Sequence, residues 1–344
     1  MDSRIQVVEE CDRTQTANRH EPIYLAAAQA QAQAQATRGN GDLRMNVLSI
    51  RGGGIRGLAP AQFLSQMESA LNKPISEYFD LIVGTSTGAI LATALGLGIP
   101  AAEVVKFYVV DGPSIFKRRL AHRFGLLGSK YNGATLRAAL DARFANRLFT
   151  QCVVPVAVTT TNVETLKAVV LRSGDGSFTG HAAVAAYCSA AAPTYFDPYK
   201  DSNGSYYVDG GLYANNPAIV ALHEASQLLK VSTKSGSKVS LLDLGCPRAK
   251  ITPDIKPGVF GFAPGAISVM MEAGMNFVET FCSDAFGAAY LPVVPELGTA
   301  SAALDDTSDD NLRALLTMGS KAWGDNAPKV NAFLLASSAV PGKK

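Results

Sequence analysis

The sequence predicts an α/β fold: a mainly parallel central sheet flanked by helices on both faces. Three observations lead there. Short, continuously apolar runs, Met45–Ile50 and Val239–Leu244 among them, read as strands buried on both sides. Between such runs lie stretches with helical spacing, as at Ala61, Leu64, Met67 and Leu71. Two strand-to-helix junctions are rich in glycine, at Gly52–Gly57 and Gly84–Gly88.

The elements follow in order. Residues 1–42 form a mobile low-complexity extension, since Ala26–Ala36 alternates Ala with Gln and shows no core pattern. The folded body, residues 43–344, opens with the Met45–Ile50 strand and the glycine loop. A helix runs from there to about Asn72. Phe79–Val83 is a second strand and Ala89–Gly98 an apolar helix. Ala101–Val110 and Thr135–Phe144 are helical, with a basic loop over Phe116–Lys130 between them. Val153–Thr159 and Lys167–Leu171 are strands, and Ala182–Ala192 is a helix of small residues. Tyr206–Asp209 ends a strand, Pro217–Leu229 is helical, and Val239–Leu244 is a buried strand. Helical stretches at Ala266–Phe281 and Asp310–Met318 precede an amphipathic tail. With no internal repeat and no linker after Met45, one catalytic-size domain with a helical C-terminal part is the simplest organisation.

Composition narrows the function. Of 344 residues 47% are hydrophobic and 17% charged, with a net charge of +2. This balance gives no global electrostatic reason to bind nucleic acid. Five cysteines form no CxxC pair and no histidine–cysteine cluster has zinc spacing, so no metal or cofactor is expected and the thiols read as free, as in a reducing compartment. Acidic Glu9, Glu10 and Asp12 precede any apolar run and no run is long enough to span a bilayer, which predicts a cytoplasmic protein, peripheral to the membrane when acting.

The sharpest motif is Gly84-Thr85-Ser86-Thr87-Gly88, a G-x-S-x-G between an apolar strand and an apolar helix. In that setting the sharp turn exposes the serine hydroxyl at a helix N-terminus, and the glycines leave room for the backbone to fold back. Ser86 is therefore the candidate nucleophile and Gly84 and Gly88 its support. Gly52-x-Gly54-x-x-Gly57 also satisfies a dinucleotide fingerprint. However, Glu77 precedes the second strand and Asp80 lies at its start, whereas a ribose-binding acid would end it. The alternative is an oxyanion hole built from consecutive glycine N–H groups at Gly52, Gly53 and Gly54, with Arg56 fixing the loop or adding charge.

Gly52-Gly53-Gly54-Ile55-Arg56-Gly57, then the serine motif, then Asp209-Gly210-Gly211 occur in an order that resembles the patatin-like phospholipase family. Lys130-Tyr131-Asn132-Gly133, Ser189–Phe196 and Asn215-Asn216-Pro217 add to the likeness, which covers about Met45 to Gly245. The resemblance implies a patatin-like three-layer sandwich, a Ser–Asp dyad of Ser86 and Asp209, an oxyanion loop at Gly52–Gly54, and support from Gly210 and Gly211. It implies hydrolysis of fatty-acyl esters in phospholipid or another acyl lipid. It extends to bacterial phospholipases of anti-phage systems that a cyclic nucleotide switches on, which makes a cyclic-nucleotide activator a candidate partner. Two positions depart from the family: Arg51 stands where the family often has Asp, and Gly245-Cys246-Pro247 where it has Gly-Thr-Gly. If the oxyanion hole is backbone alone, Arg51→Asp is expected to be tolerated.

Two other readings stand beside this one. His223 completes a Ser–Asp–His order, although it falls inside a helix where a triad histidine needs a loop. A non-catalytic lipid-binding or storage protein is the third reading, which intact Ser86 and Asp209 oppose. Residues 116–130 mix Lys117, Arg118 and Arg119 with bulky apolar side chains, the composition of a segment that touches an anionic membrane surface.

Overall fold

The computed structural model describes residues 44–119, 128–232, 238–248 and 259–338. The extension expected over residues 1–42 lies outside these residues, and so does 120–127 of the basic segment. β1 (Arg44–Ile50) leads through a 3-10 turn at Gly54–Gly57 into α1 (Leu58–Leu71). β2 (Leu81–Gly84) leads into α2 (Thr87–Gly96), followed by α3 (Ala101–Lys106), a π-helical turn at Phe107–Asp111 and α4 (Gly112–Ile115). Then come α5 (Gly133–Phe144), β3 (Val156–Asn162), β4 (Lys167–Arg172), α6 (Ala182–Ala190), β5 (Tyr199–Lys200) and β6 (Tyr206–Asp209). The chain continues through α7 (Gly211–Ala214), α8 (Ala218–Ser232), β7 (Lys238–Leu244), α9 (Val259–Phe286), β8 (Tyr290–Val293) and α10 (Asp309–Ser338).

The strands form one sheet in the order β5-β6-β3-β2-β1-β7-β8, with β4 also on β3. The five strands from β3 to β8 are parallel, whereas β4, β5 and β6 join antiparallel at one edge. Side chains alternate across the sheet with period two. Leu48, Ile50, Ile82, Leu242 and Leu244 enter the larger core. Met45, Val47, Leu81, Val83 and Leu241 enter a second one on the other face, with Ala218, Ala221 and Ala225 of α8 and Cys282 of α9. The sheet is thus covered on both faces, as the continuously apolar runs foretold.

Three expectations need correction. The strand placed at Val153–Thr159 starts three residues later, because Val153 is 61% exposed and Pro155 cannot donate to a ladder. β8 was not foreseen: it is four residues long and contains Pro292. The helix placed at Asp310–Met318 runs to Ser338 through Pro328, so the amphipathic tail belongs to one helix of 30 residues. Buried Leu312, Leu315, Trp323, Val330 and Phe333 hold that helix against α1, with Trp323 edge-on to Phe63 at 5.4 Å.

Candidate active site

The sheet register brings the two candidate catalytic residues together. β4 lies along one flank of β3, which leaves the other flank to β2 and β6 in succession. On that flank Gly84 lies opposite Val158, and Asp209 lies opposite Thr160 two residues further on. Ser86 leaves the end of β2 as Asp209 arrives at the end of β6 from the opposite direction. A long-range strand pairing therefore does what no local spacing could.

The serine turn is strained and tightly packed. Ser86 has φ 57° and ψ −123°, a region L-residues avoid. Its N–H donates to Ser189 Oγ at 2.9 Å. A Cβ at Gly84 would lie 2.2 Å from Gly88 O, and one at Gly88 2.1 Å from Ile50 O, so both positions need glycine for space. Thr85 Oγ1 donates to Ala214 O at 2.6 Å and lies 2.7 Å from Thr159 Oγ1, which anchors the turn to β3 and α7.

Asp209 is 5% exposed, and burial raises its carboxyl to about 6; hydrogen bonds from Ser86 and from the Gly211 N–H oppose the rise. The Gly211 N–H lies 2.7 Å from Asp209 Oδ1, and Asp209 N donates to Ala191 O at 3.0 Å. Gly210 is fixed by space, since its Cβ would meet Thr159 Oγ1 at 2.2 Å.

The glycine loop needs one correction. Gly52 N–H donates to Asn215 O at 2.9 Å, so it is committed to the protein and is not a free oxyanion donor. Its small size still matters, because a Cβ there would meet Asn215 Oδ1 at 2.2 Å and Ser86 Cβ at 3.2 Å. Gly53 and Gly54 do face the cavity that holds Ser86. Gly54 has φ +59° and packs against Leu304, whose carbonyl accepts the Ile55 N–H at 2.9 Å. Arg56 lines the same cavity and reaches Pro247 O at 3.1 Å and Gly53 O at 3.4 Å, bracing the loop. Asp80, weighed above as a nucleotide-binding acid, instead accepts the Asn46 N–H at 2.8 Å.

Arg51 is 1% exposed and is not among the residues that line the cavity. It pairs with Asp243 at 2.6 Å and Glu279 at 2.8 Å, and Tyr290 donates to the same Asp243 oxygen at 2.6 Å. Burial opposes its charge, yet Asp243, Tyr290 and Glu279 hold the guanidinium above its usual value. The expectation that Arg51→Asp is tolerated therefore fails on geometry, since it would bury two facing carboxylates without a cation between them. Sequence reading could not find this partner, because Asp243 is 192 residues away.

The cavity measures about 430 Å³. Ser86, Asp209, Gly53 and Gly54 sit on its wall, which also carries the apolar side chains of Ile90, Phe107, Ile115 and Leu136. Neither His181 nor His223, the histidines among the described residues, lines it. His223 is exposed on α8 and His181 Nδ1 lies 2.8 Å from Asn146 O. Cys152, Cys188, Cys246 and Cys282 are free, and the described residues contain no cluster able to hold a metal.

Residues 48–222, about half of the chain, match the family model described as "Patatin-like phospholipase". The chain belongs to the patatin-like phospholipase family. It is accordingly a carboxylic ester hydrolase acting on lipid. A "cGAMP-activated phospholipase" of Pseudomonas aeruginosa is 30% identical over 302 residues, covering 80% of this chain and 87% of that protein. "Patatin-like protein 2" of Oryza sativa subsp. indica is 27% identical over 346 residues, covering 83% and 85%. "Patatin-T5" of Solanum tuberosum is 28% identical over 334 residues, covering 83% and 86%. No described helix of this family member is long and apolar enough to cross a membrane.

Proposed function

We propose that this chain cleaves fatty-acyl esters of membrane lipid through an acyl-enzyme, with Ser86 as nucleophile and Asp209 as its base. The observation that carries the reading is a buried carboxyl, raised to about 6, beside a serine at φ 57° on the wall of an apolar cavity. Ser86 Oγ attacks the ester carbonyl while Asp209 takes its proton. Developing negative charge on the carbonyl oxygen falls to the N–H groups of Gly53 and Gly54 and to the α2 N-terminus. Collapse expels the alcohol, which takes the proton from Asp209. Asp209 then draws a proton from water, whose oxygen attacks the acyl-enzyme and releases fatty acid. A base near 6 is ionised at neutral pH, yet more basic than an exposed aspartate, and so suits this step better. Purified protein should release fatty acid from phospholipid, and Ser86→Ala should not. Equal release by both would overturn the assignment.

A second reading concerns control. We infer that a cyclic nucleotide raises the activity, on the support of relatives named "cGAMP-activated phospholipase" in Pseudomonas aeruginosa and in Escherichia coli, the latter 34% identical over 221 residues. Hydrolysis should rise on adding cGAMP to the full chain. Saturated activity without it, unchanged on addition, would overturn this.

A further inference from the structure

We propose that the outer face of α9 is the surface by which the enzyme docks on a lipid bilayer, feeding acyl chains into the adjoining cavity. Met270, Phe277 and Phe281 are 70%, 66% and 47% exposed. Their spacing of seven and four residues sets them in one stripe on one helix face. Phe277 and Phe281 stack on each other at 6.4 Å while facing water. The charged residues of α9 before Phe281, Glu272 and Glu279, are turned away from the stripe, and exposed Asp284 closes it at its C-terminal end. Glu279 pairs with buried Arg51 at 2.8 Å, and Arg248 lies 3.9 Å from Glu272 and 3.6 Å from Glu279. No charged residue occurs from Val259 to Met271.

What decides the occupant is where the stripe leads. Met271, next to Met270, and Met275 both line the cavity that holds Ser86. Leu212 of α7, on which α9 packs, also lines it and is 45% exposed. Apolar side chains of α9 thus lie both on its outer face and on the cavity wall, with Leu212 at once exposed and lining the cavity. A substrate with two long acyl chains has its carbonyls just below the lipid headgroups, the depth at which an interfacial amphipathic helix lies. A helix on that plane puts the cavity mouth beside the bond to be cut, and a chain leaves the bilayer without crossing water. The basic segment does not share this geometry: Arg119 pairs with Asp197 at 2.8 Å and Lys130 pairs with Asp305.

This proposal rests on the lipid-hydrolase reading, and one experiment separates the two. The probe is a vesicle of phosphatidylcholine alone, with flotation as the readout in low and high salt. The wild-type chain should float at both, and the Phe277→Ser/Phe281→Ser variant should lose at least about tenfold in partition. Phe277→Leu should keep it. Hydrolysis of a dissolved short-chain ester should be unchanged in all three, since none of these residues lines the cavity. Loss of ester hydrolysis in the wild type itself would sink the enzymatic reading alone. A wild type that fails to float, or a double variant that floats equally, overturns the docking proposal. So does a stripe that joins two copies, seen as a dimer by light scattering that becomes a monomer in the double variant with flotation unchanged. Binding confined to anionic vesicles at low salt, and abolished by Lys117→Gln/Arg118→Gln, would move the surface to the basic segment and also overturn it.

Discussion

Asp209 and Asp243 are both buried carboxylates, and each ends or nearly ends a strand of the same sheet. Asp243 is matched by a cation: Arg51 lies at 2.6 Å, with Tyr290 donating at 2.6 Å and Asn216 at 3.3 Å. Asp209 is paired with no cation among the described residues; burial raises its carboxyl, opposed by the Ser86 hydrogen bond and the Gly211 N–H. Burial costs both carboxylates hydration. In one the cost is offset by a partner, and the group holds β1, β7, β8 and α9 together. In the other it is left standing as basicity. The difference marks Asp243 as a structural acid and sets apart Asp209, the proposed proton acceptor, more clearly than sequence position does.

Substitution should separate them furthest. Asp209→Asn removes the base with little change of shape, and kcat/KM on a short-chain ester should fall on the order of 10⁴-fold or more. The Ser86→Ala/Asp209→Asn double variant should be little worse than either change alone. The same variant should not be less stable. The folded carboxyl is raised from 3.8 to about 6, so its stability contribution is full below pH 3.8 and lost as pH rises through about 6. The wild type carries that cost at pH 8, and Asp209→Asn should gain about 1–3 kcal/mol there in urea melts and nothing at pH 4. A large loss of stability at pH 8 would show that Asp209 is structural after all.

Arg51→Met makes the converse test. It leaves Asp243 buried without its cation and should cost about 3–5 kcal/mol of stability by denaturant titration. Arg51→Asp should be worse, and accumulate as unfolded protein. If either variant kept wild-type stability, the pairing would count for little and the contrast would collapse.

Smaller effects sharpen the comparison. The acid limb of kcat/KM should turn near pH 6, falling about tenfold per unit below it, because Asp209 must be ionised to accept a proton. A turn near 4 would mean that burial does not tune the base. Last, His223→Ala should keep kcat/KM within about tenfold, or ~1.4 kcal/mol, with circular dichroism as the folding control. A collapse there would hand the base role to the histidine.

Much of the central sheet and the placing of Ser86 on a strand-to-helix turn were legible in the sequence, because those signals are local, whereas Asp209 stood out only through the family resemblance. Apolar strands followed by glycine turns mark β1 and β2, and Ser86 sits where a helix must begin. The matched pairs Ser189 with Ser86, and Asn215 with Gly52, explain why those flanking motifs accompany the serine, but only the fold reveals the bonds. The rest was hidden by distance or by weak pattern. Arg51 looked like a departure from the family until β7 and β8 placed Asp243 and Tyr290 around it. Gly52 passed for an oxyanion donor because a sequence does not show which N–H is already taken. The exposed stripe of α9 fell within a stretch read only as helical, since Met, Phe and Gly serve core and lipid equally well.

The position of β1 carries a consequence for how the enzyme is made. Its flanking strand β7 and the partner of Arg51 come 192 residues after that arginine. A growing chain that has reached residue 222, the end of the family match, already contains Ser86 and Asp209. It has no β7 to close one side of β1, and Arg51 behind the glycine loop has no counter-charge. Such a chain holds the chemistry of a lipid hydrolase without the frame to aim it. β1 is flanked on both sides only once the chain extends through Leu244, so the frame of the site is completed after the residues it holds.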